Sequence, residues 1–253
     1  MKFCVISPAA GLSRFSTRSD LHLVLSHVDN PLYQQFYLNR REAGDTLILD
    51  NGTYEGKFNL QKLIEKIGLY HPQVVTLPDK MYGGKTSDEA ADDFMDKYGA
   101  NFHSVRWMYV MQPARDESFD SCLERTIFMV EKLSPAWVAI PRVMETLAFP
   151  NQKIRSLACI ALKAYFKHNE LKVHAFGMAN GKYGELKELA EAGCDSIDSS
   201  APVWRGWNGY RLGLDDKAWD MYGEDVDFDI APATLQRSRE ALINLNLADC
   251  GVK

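Results

Sequence analysis

The sequence predicts an α/β fold, a single (β/α)8 TIM-type barrel over residues 1–253, and three observations support it. Short apolar runs typical of buried strands alternate about eight times with segments of helical periodicity. The length of 253 residues suits one such barrel, which has about 250 residues. A doubly wound sheet is the alternative, but residues 7–13 lack the G-x-G-x-x-G phosphate loop that usually follows its first strand.

The first half of the chain contains four of the predicted strands. They are residues 3–7, 21–28, 46–50 and 73–77. Helices are predicted at residues 31–41 and 59–70, and a third begins at Ser87. Pro31 suits the first turn of its helix, and the apolar residues of 59–70 are spaced as one stripe. Residues 8–20 show no helical period and are predicted to form a polar loop.

The second half continues the alternation without a linker or an internal repeat. Strands are predicted at residues 107–111, 137–140, 171–176 and 196–197. Helices are predicted at residues 118–133, 151–168, 183–192 and 234–247. The polar, acidic section 211–231 precedes the last helix.

Composition and charge narrow the class of protein. A net charge of −5 argues against nucleic acid coating the whole surface, but it allows a local basic groove. The five cysteines are dispersed without metal-ligand spacing, so free thiols in a reducing cytosol are expected. The first residues do not resemble a signal peptide, and no stretch approaches the ~20 apolar residues of a membrane helix. We therefore expect a cytoplasmic protein that does not enter a membrane.

Chemically functional residues fall where the predicted strands end, which is where barrel enzymes place their active sites. These residues are Asp50, Asp79, Gln112, Arg142, Gly177 and Asp198. Each has a structural alternative, such as a tight turn at Asp50-Asn51-Gly52 or a helix cap at Asp198. Because all six lie at one register, the sequence predicts a single mouth with three carboxylates and an amide.

The segment after Asp198 is predicted to be a loop that suits a flat polar ring. It contains two small hydroxyls, two tryptophans including Trp204, the cation Arg205 and the turn signal Asn208-Gly209. Basic residues also follow the predicted strands and would surround the mouth. They are Lys80, Lys85, Arg115, Arg142, Lys182, Arg205 and Arg211. This pattern indicates phosphate-backbone contact, and the alternative is that these cations are merely solvated.

The same segments resemble the tRNA-guanine transglycosylase (queuine/archaeosine tRNA-ribosyltransferase) superfamily, whose enzymes exchange guanine in a polynucleotide for a 7-deazaguanine. Residues 50–55, Asp-Asn-Gly-Thr-Tyr-Glu, resemble that family's Asp-Ser-Gly-Gly-Tyr-Gln. Residues 110–113, Val-Met-Gln-Pro, resemble its Val-Gln-Gly-Gly, and 174–178, His-Ala-Phe-Gly-Met, its Leu-Met-Gly-Val-Gly. Residues 198–202, Asp-Ser-Ser-Ala-Pro, resemble its nucleophile segment Asp-Cys-Val-x-Pro. The match spans roughly residues 45–210 in consistent order.

The resemblance implies a role for each of these positions. Asp198 would be the nucleophile that attacks the sugar, and Asp50 would transfer protons. Asp79 and Gln112 would bind the edge of a guanine-like base. The other residues expected in the substrate site are Tyr54, Gly177, Arg142 and Trp204.

The sequence departs from the family's pattern at two places, and these departures indicate which branch of the family it is most similar to. The cysteine and histidine residues of its zinc module are missing after residue 210, so no metal and no cofactor are expected. The family's Gly-Gly pair is Pro141-Arg142 here, and proline has no N–H to donate to a base. A zinc-free chain is most similar to the branch, known in phages and bacterial islands, that places 7-deazaguanines in DNA.

The expected partners are therefore DNA and a free 7-deazaguanine base, with a homo-oligomer possible, in the host cytoplasm if the protein is phage-encoded. A tRNA-modifying enzyme and a non-catalytic nucleic-acid-binding subunit are the alternatives. The retention of both Asp50 and Asp198 argues against the second of these.

Overall fold

The computed structural model describes residues 1–149, 153–178, 183–211 and 235–252, and its described strands form one parallel sheet. The strands are β1 (Lys2–Val5), β2 (Leu21–Leu25), β3 (Thr46–Asp50), β4 (Val74–Thr76), β5 (Arg106–Val110), β6 (Trp137–Pro141), β7 (Lys172–Phe176) and β8 (Ser196–Ser199). Their order is β1-β8-β7-β6-β5-β4-β3-β2. Because β1 and β2 stand at the two ends of this order and contact each other, the sheet is a nearly closed barrel. The predicted (β/α)8 fold is confirmed.

Helices connect the strands on the outside of the sheet. They are α1 (Leu12–Phe15), α2 (Pro31–Glu42), α3 (Leu60–Tyr70), α4 (Lys85–Tyr98), α5 (Phe119–Leu133), α6 (Ile154–Tyr165), α7 (Tyr183–Glu191), α8 (Ala201–Trp207) and α9 (Leu235–Gly251). Short 3₁₀ turns occupy Ala9–Gly11, Ser16–Arg18 and Gly99–Asn101, and Met144–Ala148 forms a π-helical turn. Side chains cap three of the helices, because Asn30, Asn59 and Ser118 each accept a backbone N–H of the first turn.

The structure corrects the predicted elements at two places. Residues 8–20 are not an irregular loop, because they contain α1 between two 3₁₀ turns. Four residues of helix are too few to show a period in the sequence, although Leu12 and Phe15 are buried. The segment after Asp198 is not a loop either, because it forms α8. Pro202 lies in the first turn of this helix, where its missing N–H costs nothing.

The strands are buried on both faces, as parallel strands covered by helices must be. Their polar residues consequently need partners within the protein. Side chains two apart in a strand share a face, so Ser196 and Asp198 of β8 point to the same side of the sheet. The register places His174 of β7 beside Ser196 and Cys4 of β1 beside Asp198. The carboxyl ends of all eight strands meet at one mouth.

The carboxyl-terminal helix α9 packs directly against the backbone of α8. A Cβ at Gly206 would lie 2.3 Å from both Cα and N of Ala241. We expect Gly206→Ala to lower the free energy of unfolding by at least about 1–3 kcal/mol, because neither backbone can yield without moving a helix. Urea unfolding measures this change.

Gly68→Ala is the matched control for this prediction. Gly68 lies inside α3 and a Cβ there meets nothing within 4 Å. The same substitution should therefore stabilise the protein by about 0.5–1 kcal/mol, through helix propensity alone. A Gly206→Ala protein as stable as the wild type would contradict the close packing of α8 and α9.

Two predicted features lie outside the described residues, namely Lys182 and nearly all of the acidic section 211–231. No helix within the described ranges is both long and apolar enough to cross a membrane. The five cysteines are free thiols, of which Cys250 is exposed and the other four are buried.

Candidate active site

An open cavity with a volume of ≈ 130 Å³ lies at the mouth of the barrel. It brings together seven of the predicted site residues, Asp50, Tyr54, Asp79, Gln112, Arg142, Gly177 and Asp198. Its apolar walls are Ile6, Leu23, Leu25, Met81, Val143 and Phe176. A few converging polar groups within apolar walls are typical of a site for a small molecule.

Asp198 is the last residue but one of β8, and hydrogen bonds hold one of its two carboxyl oxygens. Its Oδ1 accepts hydrogen bonds from His174 Nε2 at 3.0 Å and from the Gly177 backbone N–H at 3.2 Å. The alternative in which Asp198 caps the next helix is wrong, because Ser199 Oγ accepts the Ala201 N–H of α8 instead. Asp198 therefore faces the cavity and takes no part in capping α8.

Asp50 ends β3 in an environment that favours the protonated carboxyl. Burial raises its pKa well above the usual range, and the negative charges of Glu55, Asp79 and Asp198 raise it further. The Gly52 N–H, which donates to Asp50 Oδ2 at 2.9 Å, opposes this shift. That hydrogen bond also closes the tight turn suggested by Asn51-Gly52, so the turn and a role in the cavity are compatible.

Asp79 and Gln112 form a hydrogen-bonded pair that also lines the cavity. Asp79 Oδ2 accepts Gln112 Nε2 at 2.6 Å, and Asp79 Oδ1 accepts Asn51 Nδ2 at 2.7 Å. Burial raises the pKa of Asp79, although the hydrogen bonds from Asn51, Gln112 and Thr53 oppose the shift. Because Asp79 is the acceptor of the Gln112 amide group, the carbonyl oxygen of that amide must point elsewhere.

That carbonyl oxygen, Gln112 Oε1, is buried and has no hydrogen-bond partner among the described residues. A buried acceptor left unsatisfied costs about 1–3 kcal/mol, so this oxygen, which belongs to a residue that lines the cavity, calls for a donor. An N–H of a bound molecule would satisfy it. The pair therefore presents acceptors to an edge that carries N–H groups.

Tyr54 and Arg142 cover one side of the mouth. The Arg142 guanidinium lies 4.5 Å from the centroid of the Tyr54 ring and donates to the Tyr54 hydroxyl. Gly177, with φ of +61°, leaves room for this arginine, because a Cβ there would lie 3.2 Å from Arg142 Cδ. Planar groups stacked at a cavity entrance can extend over an aromatic ligand.

Arg125 of α5 fixes the loop that carries Gln112. Its guanidinium donates to the Gln112 backbone carbonyl at 2.7 Å. It also forms salt bridges with Asp88 at 2.7 Å and Glu117 at 2.8 Å. Asp88 belongs to α4, so this arginine joins two helices to the end of β5.

Arg155 of α6 binds the carboxyl ends of β6 and β7 in a similar way. This side chain is fully buried and pairs with Glu185 at 2.7 Å. It donates to the carbonyl oxygens of Ile140 at 3.5 Å and Phe176 at 3.0 Å. Arg155 therefore joins the ends of the two strands that precede Arg142 and Gly177.

The predicted basic rim is only partly observed. Lys80, Lys85 and Arg115 are exposed after β4 and β5, and Arg211 is exposed but paired with Glu240 at 3.0 Å. The expectation for Arg205 is wrong, because this side chain is only 5% exposed within α8. Trp204 also lies on α8 and is not among the residues that line the cavity. Both errors follow from treating residues 201–207 as a loop.

Sequence reasoning missed three residues of the site. Glu55 lines the cavity and raises the pKa of Asp50, and Asn51 binds Asp79. His174 contacts Asp198 from the neighbouring strand. One signal was available for His174, because a histidine two residues before a strand end shares the face of that end. No local pattern indicates the pairing across strands.

Among the residues that the structure describes, no group of three or more His, Cys, Asp or Glu side chains is arranged to hold a metal ion. The fold and the cavity thus define a (β/α)8 barrel with a carboxylate-rich site at its carboxyl-terminal mouth.

Comparison with solved structures supports the barrel. The carboxyl transferase domain of Rhizobium etli pyruvate carboxylase, solved with pyruvate, is similar with a TM-score of 0.51 and 11% sequence identity. The alignment covers 100% of this chain and 48% of that one, so this chain spans about half its length. At this identity the similarity shows the fold alone. No family model and no curated protein sequence matches the chain.

Proposed function

We propose that this protein is a pentosyltransferase that replaces guanine in DNA with a 7-deazaguanine derivative through a covalent aspartyl–glycosyl intermediate. One observation carries the proposal: two carboxyl groups in contrasting environments face one cavity. Asp50 has a pKa raised by burial and neighbouring charge, whereas Asp198 accepts two hydrogen bonds at one oxygen. Pairs of carboxyl groups with divided roles are how enzymes cleave glycosidic bonds.

The first half of the reaction breaks the bond between the sugar and guanine. Asp198 Oδ2 attacks C1′ of an extruded nucleotide, and the electron pair of the C1′–N9 bond leaves with the base. The protonated Asp50 carboxyl gives its proton to the departing guanine. The products are an ester between Asp198 and the sugar, a neutral guanine and an ionised Asp50.

The second half is the reverse reaction with a different base. The ionised Asp50 takes the proton from the ring nitrogen of the incoming 7-deazaguanine. That nitrogen attacks C1′, and the ester electrons return to the Asp198 carboxylate. Two inversions at C1′ restore the original configuration, and each proton that Asp50 donates is recovered.

Asp79 and Gln112 supply a reason for selecting a guanine-like base. Guanine presents N–H groups at N1 and N2, and Gln112 Oε1 is a buried acceptor that lacks a partner among the described residues. Adenine has no N–H at its N1 position, so it would leave this oxygen unsatisfied. The planar pair of Tyr54 and Arg142, together with Phe176, offers surfaces against which the extruded base can stack.

The exposed cations after β4 and β5 suit contact with phosphates. Lys80→Ala and Arg115→Ala should each weaken polynucleotide binding. Each should also lower the slope of log affinity against log salt by about one, because one phosphate contact is lost. Fluorescence anisotropy at several salt concentrations measures both effects.

Arg106→Ala is the matched control for this prediction. Arg106 is exposed at the amino end of β5, so it lies at the opposite end of the barrel from Arg115. Its removal changes the net charge equally but should leave the slope unchanged. Equal slopes for the wild type, Lys80→Ala and Arg115→Ala would show that these two cations are solvated and make no phosphate contact.

Base exchange itself tests the proposal. The protein is incubated with duplex DNA, single-stranded DNA or tRNA that contains labelled guanine, with and without a free 7-deazaguanine. We expect release of labelled guanine from DNA that depends on the free base, which separates exchange from hydrolysis. Release from tRNA alone would favour the tRNA-modifying alternative. Binding without any release would favour the non-catalytic subunit and reject the proposal.

A further inference from the structure

A buried chain of hydrogen bonds runs from Ser196 through His174 to Asp198. His174 Nδ1 lies 2.7 Å from Ser196 Oγ, and His174 Nε2 lies 3.0 Å from Asp198 Oδ1. The exposed fractions of His174, Ser196 and Asp198 are 0%, 0% and 5%. His174 and Ser196 are register partners in β7 and β8, so rigid backbone holds the whole chain.

The chemistry of the three groups determines where the protons lie. A carboxylate oxygen can only accept, so the proton in the second bond is on His174 Nε2. In a neutral imidazole Nδ1 is then an acceptor, and the Ser196 hydroxyl donates a hydrogen bond to it. Asp198 therefore sets the tautomer of His174, and Ser196, bound to Nδ1, holds the ring in the orientation in which Nε2 faces Asp198.

We infer that His174, held by Ser196, is a positioning residue that selects Oδ2 of Asp198 as the reacting oxygen. This inference rests on the proposed function. His174 Nε2 and the Gly177 N–H both bind Oδ1, and within the described residues no hydrogen bond reaches Oδ2. Oδ2 keeps its lone pairs for C1′, since no donor has to be displaced.

The same two donors act again when the ester breaks. As the C1′–Oδ2 bond cleaves, its electron pair returns to the carboxylate and negative charge develops on both oxygens. His174 and Gly177 already face Oδ1, so this charge is stabilised without reorganisation. The donors bind a carboxylate more strongly than a neutral ester carbonyl, so they favour discharge of the intermediate.

Single-turnover kinetics tests the role of His174. We expect His174→Leu to slow discharge of the covalent intermediate by a free base on the order of 10²-fold, as loss of one such donor does elsewhere. The adduct should therefore persist longer than in the wild type. His174→Gln keeps an N–H near the position of Nε2 and should retain discharge within about 10-fold of the wild type.

Two further variants link Ser196 to the effect and control for packing. Ser196→Ala should slow discharge in the wild-type background but not in the His174→Leu background, because it acts through the imidazole. His22→Leu removes a buried histidine that contacts Asp45 Oδ2 at 2.7 Å, at the opposite end of the barrel. That variant should exchange bases at the wild-type rate, even if it is less stable.

Nitrogen NMR of histidine-labelled protein supplies a readout that does not need catalysis. The wild-type spectrum should show His174 protonated at Nε2 and not at Nδ1. Ser196→Ala should leave Nε2 protonated and shift the Nδ1 resonance, because Nδ1 loses its hydrogen-bond donor. A His174 that carries no proton on Nε2 in the wild type would overturn the inference.

The kinetic outcomes separate this inference from the proposed function. If the wild type exchanges bases but His174→Leu discharges normally, or His174→Gln fails as badly as His174→Leu, the positioning role is rejected and base exchange stands. If the wild type exchanges no base and forms no adduct with any polynucleotide, the proposed function fails and this inference fails with it.

Discussion

Asp198→Asn is expected to abolish the covalent adduct between the protein and a guanine-containing polynucleotide and to reduce base exchange by at least about 10³-fold. The physical reason is that a neutral amide is a poor nucleophile toward a sugar carbon that develops positive charge. The asparagine oxygen can still accept from His174 and Gly177, so the variant should fold. Denaturing gel electrophoresis detects the adduct, and release of labelled guanine measures exchange.

Asp195→Asn is the control for Asp198→Asn. Asp195 lies just before β8, at the amino end of the barrel, and pairs with Lys163 at 2.6 Å. The same chemical change three residues away should reduce stability but leave exchange intact. If a well-folded Asp198→Asn protein still exchanged guanine, the nucleophilic role of Asp198 would be wrong.

Asp50→Asn is expected to slow exchange by about 10²–10⁴-fold, the usual contribution of a proton-transferring group. Attack by Asp198 remains possible, but the leaving guanine receives no proton and the incoming base loses none. Affinity for the polynucleotide should stay within about twofold. The phosphates are expected to contact the exposed cations, and Asp50 is a buried acid. Binding and exchange measured on one sample separate the two effects.

The same variant should be more stable than the wild type at neutral and alkaline pH. The pKa of Asp50 is raised in the folded state by burial and by Glu55, Asp79 and Asp198. Between the ordinary aspartate pKa and this raised value, the folded protein binds more protons than the unfolded chain. The free energy of unfolding contributed by Asp50 therefore falls as pH rises through that window. Asparagine does not ionise, so the free energy of unfolding of Asp50→Asn should not show this fall with pH.

Urea unfolding of both proteins from pH 4 to pH 9 checks the sign of the effect. Asp45→Asn is the matched control, because Asp45 precedes β3 at the opposite end and is paired with Arg40 and His22. That substitution should destabilise the protein and leave exchange unaffected. A wild type whose stability rose relative to Asp50→Asn with increasing pH would show that Asp50 is ionised in the folded state.

The convergence of Asp50, Asp79, Gln112 and Asp198 could be predicted because it depends on local patterns. Apolar runs mark strands, and each of these residues follows the end of one run. Parallel strands linked by helices all point the same way, so their ends meet at one mouth. The alternation alone was sufficient to place these side chains in one cavity.

The cations show where local patterns fail. Arg205 follows a strand and precedes a turn signal, as a rim residue would, but it is buried in α8. The burial of α8 involves α9, whose Ala241 backbone leaves no space beyond Gly206. That contact joins residues about 35 apart in the chain, so no periodicity within either segment reports it.

The sequence by itself determined the barrel, the end of the barrel that carries the site and the acids within it, because strand period and strand direction are properties of short segments. Only the tertiary structure decided the environment in which each acid lies. The raised pKa of Asp50 depends on burial and on carboxylates from three other positions, and the orientation of Asp198 depends on a histidine one strand away. Electrostatic and hydrogen-bond energies follow distances in space, and the folded backbone alone sets those distances.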